Sequence, residues 1–297
     1  MRKKVLLFAM TGFGNSALKA LAESASCEVA ALFTSRRAES PFPYYDCPPL
    51  REEASRRAIP VYEGVDLRSE KGLGLASSFS PHLIIVASYN RIVPREVIQI
   101  PSRGVVNIHP SLLPRYRGAT PTFWALARGE EHTGVTAHFI EDEHVDRGRI
   151  ILQRSLAILP GDTEGSLRER LASLSEEVVK GVLEAVFTRK REEFPLQDEA
   201  QATSFPKRTE QDGELCLEWP FRDIRNRIRA STPYPGPYVV LEGKKYHVKG
   251  AALLSGEEVL PEGGECFVAP GRDGRILFTP GEPLDQREKT AKEQKDG

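Results

Sequence analysis

The sequence predicts an α/β protein, a mostly parallel sheet with helices on both faces followed by a small C-terminal β-rich module. Two patterns carry that prediction. Short unbroken apolar runs, as expected of strands buried on both faces, alternate with helical segments through the first half of the chain. Beyond about residue 205 the pattern changes to short strand-like runs punctuated by Gly and Pro.

Taken in order, residues 5–9 (VLLFA) read as the first strand, and Thr11, Gly12, Phe13 and Gly14 as a tight turn. A helix follows with Leu18, Leu21 and Ala22 on one face. Residues 29–33, 83–87 and 105–109 are the next strands, and 135–140 and 149–153 read as an antiparallel pair flanking a turn. From 163 to about 187, Leu167, Leu171, Leu174, Val178, Val182 and Phe187 recur at helical spacing. Residues 1–190 are thus expected to form one domain, with the polar, aperiodic stretch 191–206 as a linker. The module at 207–283 has a helix over 223–230 and strands at 238–241, 246–249, 266–269 and 276–279. The charged tail, 284–297, is expected to be disordered.

The 297 residues are 40% hydrophobic and 28% charged, with a formal net charge of −1, an ordinary globular balance that argues against binding through bulk positive charge. No apolar run approaches membrane-spanning length, and the first residues lack a signal-peptide pattern, so a cytoplasmic setting is expected. Cys27, Cys47, Cys216 and Cys266 are scattered, without metal-type pairing. His132, His138 and His144 are read as surface or packing residues rather than metal ligands, and no metal is expected. The partial glycine pattern after the first strand lacks a third glycine, and no acidic residue ends the second strand, so it is not read as a dinucleotide site.

The chemistry gathers at residues 107–118 (NIHPSLLPRYRG). Side chains alternate along a strand, so Asn107 and His109 share a face while Ile108 points away. Pro110 and Pro114 stop the strand and stiffen the loop after it. An amide and an imidazole held on a rigid strand end can receive negative charge developing on a carbonyl oxygen.

This stretch, with Thr133, Gly134, Val135 and Thr136 and the Asp146-Arg147-Gly148 turn, resembles the formyltransferase family that uses 10-formyltetrahydrofolate. That family includes methionyl-tRNA and sugar-amine formyltransferases. The resemblance covers residues 1–190 well and continues more loosely to Pro283. It implies a Rossmann-like catalytic domain with an OB-like C-terminal module, and formyl transfer to a primary amine without metal or covalent intermediate. By the same resemblance Asn107 would hydrogen-bond the formyl oxygen and His109 would donate to the oxyanion. Asp146 would orient or charge His109 and serve in proton transfer. Pairing with Asp146 is expected to raise the protonated share of His109. Ser88, Tyr89, Asn90, Arg91 and Ile92, with Ile140, Glu141 and Asp142, form the expected folate wall. Thr11, Gly12 and Phe13, with Ser111, Arg115, Arg117 and Gly118, are expected to meet the acceptor.

For the acceptor, the sequence favours a small, anionic amine such as an amino-sugar nucleotide. From residue 206 to the end there are 15 Lys plus Arg against 16 Asp plus Glu, a poor match to RNA. The 33–50 loop carries Phe42, Tyr44 and Tyr45 where tRNA-acting relatives have a basic insertion. Initiator methionyl-tRNA is the alternative, and the stripe of Arg222, Arg225 and Arg229 would suit an anionic ligand. A formyltetrahydrofolate hydrolase, or a folate-binding protein without turnover, would be the readings furthest from these. Oligomeric state is not legible.

Overall fold

The apolar runs at 5–9, 83–87 and 105–109 become the central strands of a seven-stranded sheet. The computed structural model describes residues 2–35, 43–254 and 266–282. Its first sheet contains β1 (Lys3–Ala9), β2 (Cys27–Thr34), β3 (Val61–Glu63), β4 (Leu83–Ala87), β5 (Val105–His109), β6 (His132–Ile140) and β7 (Ile150–Ala157), in the order β3-β2-β1-β4-β5-β6-β7. The first five strands are parallel, β6 is antiparallel to β5, and β7 is antiparallel to β6. Along β1, Leu6 and Phe8 enter a core with Ala31, Phe33, Ile84 and Val86. Val5, Leu7 and Ala9 on the opposite face are equally buried. Burial on both faces explains the unbroken run, and each such Leu or Phe contributes about 1.5–3 kcal/mol.

Helices α1 (Phe13–Ala22), α2 (Leu50–Arg56), α3 (Glu70–Ser78), α4 (Arg95–Ile98), α5 (Pro121–Ala127) and α6 (Glu164–Thr188) connect or follow these strands. The sequence reading does not anticipate β3 or α2 to α5, which are too short for periodicity to show. Strand order reverses about β1 and β4, and β1, β4 and β5 all end at one edge of the sheet, at Ala9, Ala87 and His109. In open α/β sheets that edge is where ligands bind.

Contacts divide the chain into two units, and 191–205, expected to be a linker, belongs to the first. This stretch contains 3₁₀ turns at Arg191–Glu193 and Glu199–Gln201 and buries Phe194 and Gln197. The second unit takes in 122–131 and 158–167 as well as the residues from Pro206 onward. Side-chain bonds account for these additions. Trp124 Nε1–H donates to the Pro206 oxygen, buried Arg208 pairs with buried Glu164, and the Arg229 guanidinium donates to the Leu159, Pro160 and Asp162 carbonyls. Arg229 therefore does not share the exposure of Arg222 and Arg225. The unit's sheet contains β8 (Tyr238–Leu241), β9 (Lys244–Leu253), β10 (Phe267–Gly271) and β11 (Gly274–Pro280), all antiparallel, in the order β10-β11-β9-β8. Helix α7 (Phe221–Ala230) sends Ile224 and Ile228 into a core with Val239, Val248, Ile276 and Phe278. The 284–297 tail and residues 36–42, on which two expectations fell, lie outside the described residues. No helix among the described residues is long and apolar enough to cross a membrane.

Candidate active site

Register assembles the site. β5 presents Asn107 and His109 on one face, and antiparallel pairing with β6 sets His138 opposite Asn107 and Thr136 opposite His109. Thr136 Oγ1 donates to the Ser111 oxygen at 2.6 Å and accepts from the Leu113 N–H at 3.1 Å. Gln153 Nε2 donates to the Leu113 oxygen and to Thr136 Oγ1 at 2.6 and 2.9 Å. The loop after β5 is thus pinned to the two strands beside it. Its Tyr116 has a left-handed backbone, φ 61°, which turns the Tyr116 carbonyl onto His109 Nε2 at 2.9 Å.

Asp146 comes from the loop after β6. Ile140 pairs with Val105, at the far end of β5 from His109, so the loop must return along the sheet before Asp146 reaches Asn107. It does so with φ 56° at Asp146, an unusual conformation for a residue with a side chain. Ser88, at the end of β4, has φ 53°. Left-handed non-glycine residues concentrate at functional sites, and three surround this one. Gly148 is required because a Cβ there would stand 1.8 Å from the Phe139 oxygen. Gly118, φ 114°, is required because its Cβ would be 2.3 Å from the Phe205 oxygen.

At the centre, Asp146 Oδ2 accepts from the Gly118 N–H at 2.9 Å and Oδ1 accepts from Asn107 Nδ2 at 3.2 Å. His109 Nδ1 and His138 Nε2 lie 3.6 and 3.3 Å from Oδ1. Burial opposes ionisation of Asp146, but His109, His138 and the Gly118 N–H outweigh it and hold the carboxyl well below the usual carboxylate range. Burial acts the other way on His109. It pushes the imidazole below its ordinary value despite the attraction of Asp146 and the Tyr116 carbonyl. The attraction of Asp146 acts to raise the protonated share of His109, and at 4% exposure desolvation outweighs it. The site thus holds a carboxylate that favours its ionised form beside an imidazole whose burial disfavours its charged form. The Tyr116 carbonyl can only accept, so the imidazole proton is on Nε2.

A strap from 194 to 205 holds this arrangement. Gln197 Nε2 donates to the Asp146 and Gly148 carbonyls, both at 2.8 Å. Gln197 Oε1 accepts from Arg117, whose Nη1 and Nη2 reach Glu199 at 2.9 and 2.6 Å. Thr203 Oγ1 accepts from the Tyr116 N–H at 2.9 Å, and Phe205 stacks on Tyr116 at 5.1 Å. Arg117 is only 2% exposed and committed to Gln197 and Glu199, which corrects its expected contact with the acceptor. Ser111 is corrected likewise, since it is fully buried and its hydroxyl donates to the Arg115 carbonyl, as is fully buried Phe13. Gly118 serves Asp146 through its N–H. Arg115 remains exposed, Thr11 Oγ1 accepts from the Leu50 N–H, and Gly12 opens α1.

Of the expected folate wall, Tyr89 leans on Phe8, Arg91 donates to the Val65 oxygen, and Ile92 is exposed. Asn90 is exposed. Glu141 pairs with Arg149, and Asp142 with His144. Of the two roles read for His138, surface or packing, its 1% exposure excludes the surface, and it touches both Asn107 and Asp146.

The sequence profile described as formyl transferase matches residues 17–183, more than half the chain, and that of the formyl transferase C-terminal domain matches 207–291. The chain belongs to the formyltransferase family. This formyltransferase is 36% identical over 242 residues to the methionyl-tRNA formyltransferase of Moorella thermoacetica, covering 80% of this chain and 77% of that one. It is 33% identical over 293 residues to the protein of the same name from Pelotomaculum thermopropionicum, covering 93% and 90%. Its fold is similar to the Helicobacter canadensis N-formyltransferase solved with folinic acid and dTDP-3-aminofucose, with a TM-score of 0.69 at 19% identity over 94% and 99% of the two chains.

Proposed function

We propose that this formyltransferase moves a formyl group from 10-formyltetrahydrofolate to the amino group of initiator methionyl-tRNA. The observation that carries the reading is the one-third identity to methionyl-tRNA formyltransferases, extending over nearly the full length of both chains. The near-balanced charge of the C-terminal segment does not by itself decide the acceptor, because placement matters as well as sum. Arg222, Arg225, Lys244, Lys245, Lys249, Arg272 and Arg275 are exposed, as a polyanion-binding surface requires. An amino-sugar nucleotide is the second acceptor, favoured by the near-balanced charge of the whole segment.

The chemistry follows from the site. Attack of the amine on the formyl carbon creates a tetrahedral centre bearing an oxyanion, and the amine must lose a proton. Neutral His109 takes that proton on Nδ1, because the imidazolium formed faces ionised Asp146 at 3.6 Å. Charged His109 then stabilises the oxyanion, and the proton leaves with the folate nitrogen as its bond to the formyl carbon breaks. Folate would lie against the loops that follow β4 and β6. The test is tetrahydrofolate formation from 10-formyltetrahydrofolate with methionyl-charged initiator tRNA or dTDP-amino sugars as sole acceptors. Release driven by tRNA supports the reading, and release driven only by the sugars replaces it with the second acceptor.

A further inference from the structure

His138 Nδ1 lies 2.9 Å from the Phe139 carbonyl oxygen. A carbonyl only accepts, so Nδ1 carries a proton. Nε2 faces Asn107 Nδ2 and, at 3.3 Å, Asp146 Oδ1. With Nδ1 as the ring's donor and the amide NH₂ shared between Nε2 and Asp146, Nε2 offers its lone pair to the amide. That lone pair stands 3.1 Å from Asn107 Nδ2. The other Nδ2 hydrogen meets Asp146 Oδ1 at 3.2 Å. Both amide hydrogens of Asn107 are therefore consumed within the protein. Turning the amide over would set Oδ1 against a carboxylate oxygen and a ring lone pair, three acceptors with no proton between them. Among the described residues nothing donates to Asn107 Oδ1, and this atom of a half-buried residue keeps contact with solvent.

The resemblance implies a donor at this position, whereas the arrangement presents an acceptor. We propose that His138 is a positioning residue that turns the Asn107 carbonyl toward the substrate, where Oδ1 accepts a hydrogen bond from the attacking amine. One N–H of the amine is held by Asn107, its lone pair is free to attack the formyl carbon, and its departing proton goes to His109. The oxyanion is left to His109. This inference rests on formyl transfer and not on which amine accepts.

Two measurements on the full chain test it. Calorimetry compares binding of a 10-formyl-dideazafolate and of the same compound without its formyl group to the unaltered protein and to Asn107→Ala. The affinity ratio between the two compounds should stay the same, and a tenfold loss for the formylated compound alone would overturn the proposal by showing donation to the formyl oxygen. Single-turnover transfer to initiator methionyl-tRNA compares His138→Leu with His138→Gln, whose Oε1 can still accept from Asn107. His138→Leu should slow transfer about tenfold, the loss of one hydrogen bond, with most of the rate restored in His138→Gln. Equal rates in the two variants would overturn it. If the unaltered protein transfers nothing to tRNA, the acceptor reading fails and the folate ratio alone decides this inference.

Discussion

Replacing Asp146 by Asn keeps the shape of the side chain and removes its charge. At the 3.6 Å separation from His109 Nδ1, the attraction between carboxylate and imidazolium is about 4–5 kcal/mol at an effective dielectric of about 20. That corresponds to about three decades in rate, since the proton taken from the amine loses its counter-charge. The amide also cannot satisfy both neighbours. Oδ1 accepts from Asn107 and Oδ2 from Gly118, so either rotamer turns an NH₂ against a donor, costing about 1–2 kcal/mol of stability. The expected result is a folded variant, slightly less heat-stable, whose single-turnover formyl transfer is slower by about a thousandfold at neutral pH. Calorimetric folate binding and a thermal melt separate slow chemistry from unfolding. A folded Asp146→Asn protein within tenfold of the unaltered rate would refute the electrostatic role assigned to the carboxylate.

The site should also make the protein acid-sensitive. Folded His109 is held below its ordinary value of about 6.5, so the unfolded chain protonates first, and stability present above that pH is lost as pH falls toward the folded value. Asp146 acts with the same sign in stronger acid, its contribution present above the ordinary carboxylate range and lost below it. Denaturant titrations should show stability falling from pH 7 to 5, and falling less in His109→Asn. A steeper fall in the variant would contradict the assignment. Gly148→Ala should misplace Asp146 and lower the melting temperature, because its Cβ has no room beside the Phe139 carbonyl. An unchanged melt and rate would show that the turn yields. Gln197→Ala frees the two carbonyls that hold the Asp146 turn and should cost about 1–3 kcal/mol in chemical denaturation, together with much of the turnover.

What the sequence revealed follows the range of the interactions involved. β4, β5 and β8 were legible to the residue because consecutive apolar side chains mark a strand locally. That Asn107 and His109 share a face was legible from alternation alone, whereas reading them as a site needed the resemblance. Asp146 needed the resemblance, since nothing in a turn residue announces where its loop returns. His138 was missed because its partner is fixed by the β5–β6 register, a non-local property that links positions 31 residues apart. A search for polar residues facing each other across that pair would have found it. Arg117 was misread for a related reason. Its charge suggested a ligand, but its partners Gln197 and Glu199 lie about 80 residues on, in a segment whose polar composition resembles a linker. Gln197, Glu199 and Thr203 carry no local signal at all.

The central claim, that the cluster on β5 moves the formyl group, is tested most directly by comparing His109→Ala with the unaltered protein in single-turnover formation of tetrahydrofolate from 10-formyltetrahydrofolate, with acceptor present and folate binding measured alongside. The account predicts retained folate binding and loss of nearly all transfer. Transfer at the unaltered rate would place the chemistry elsewhere.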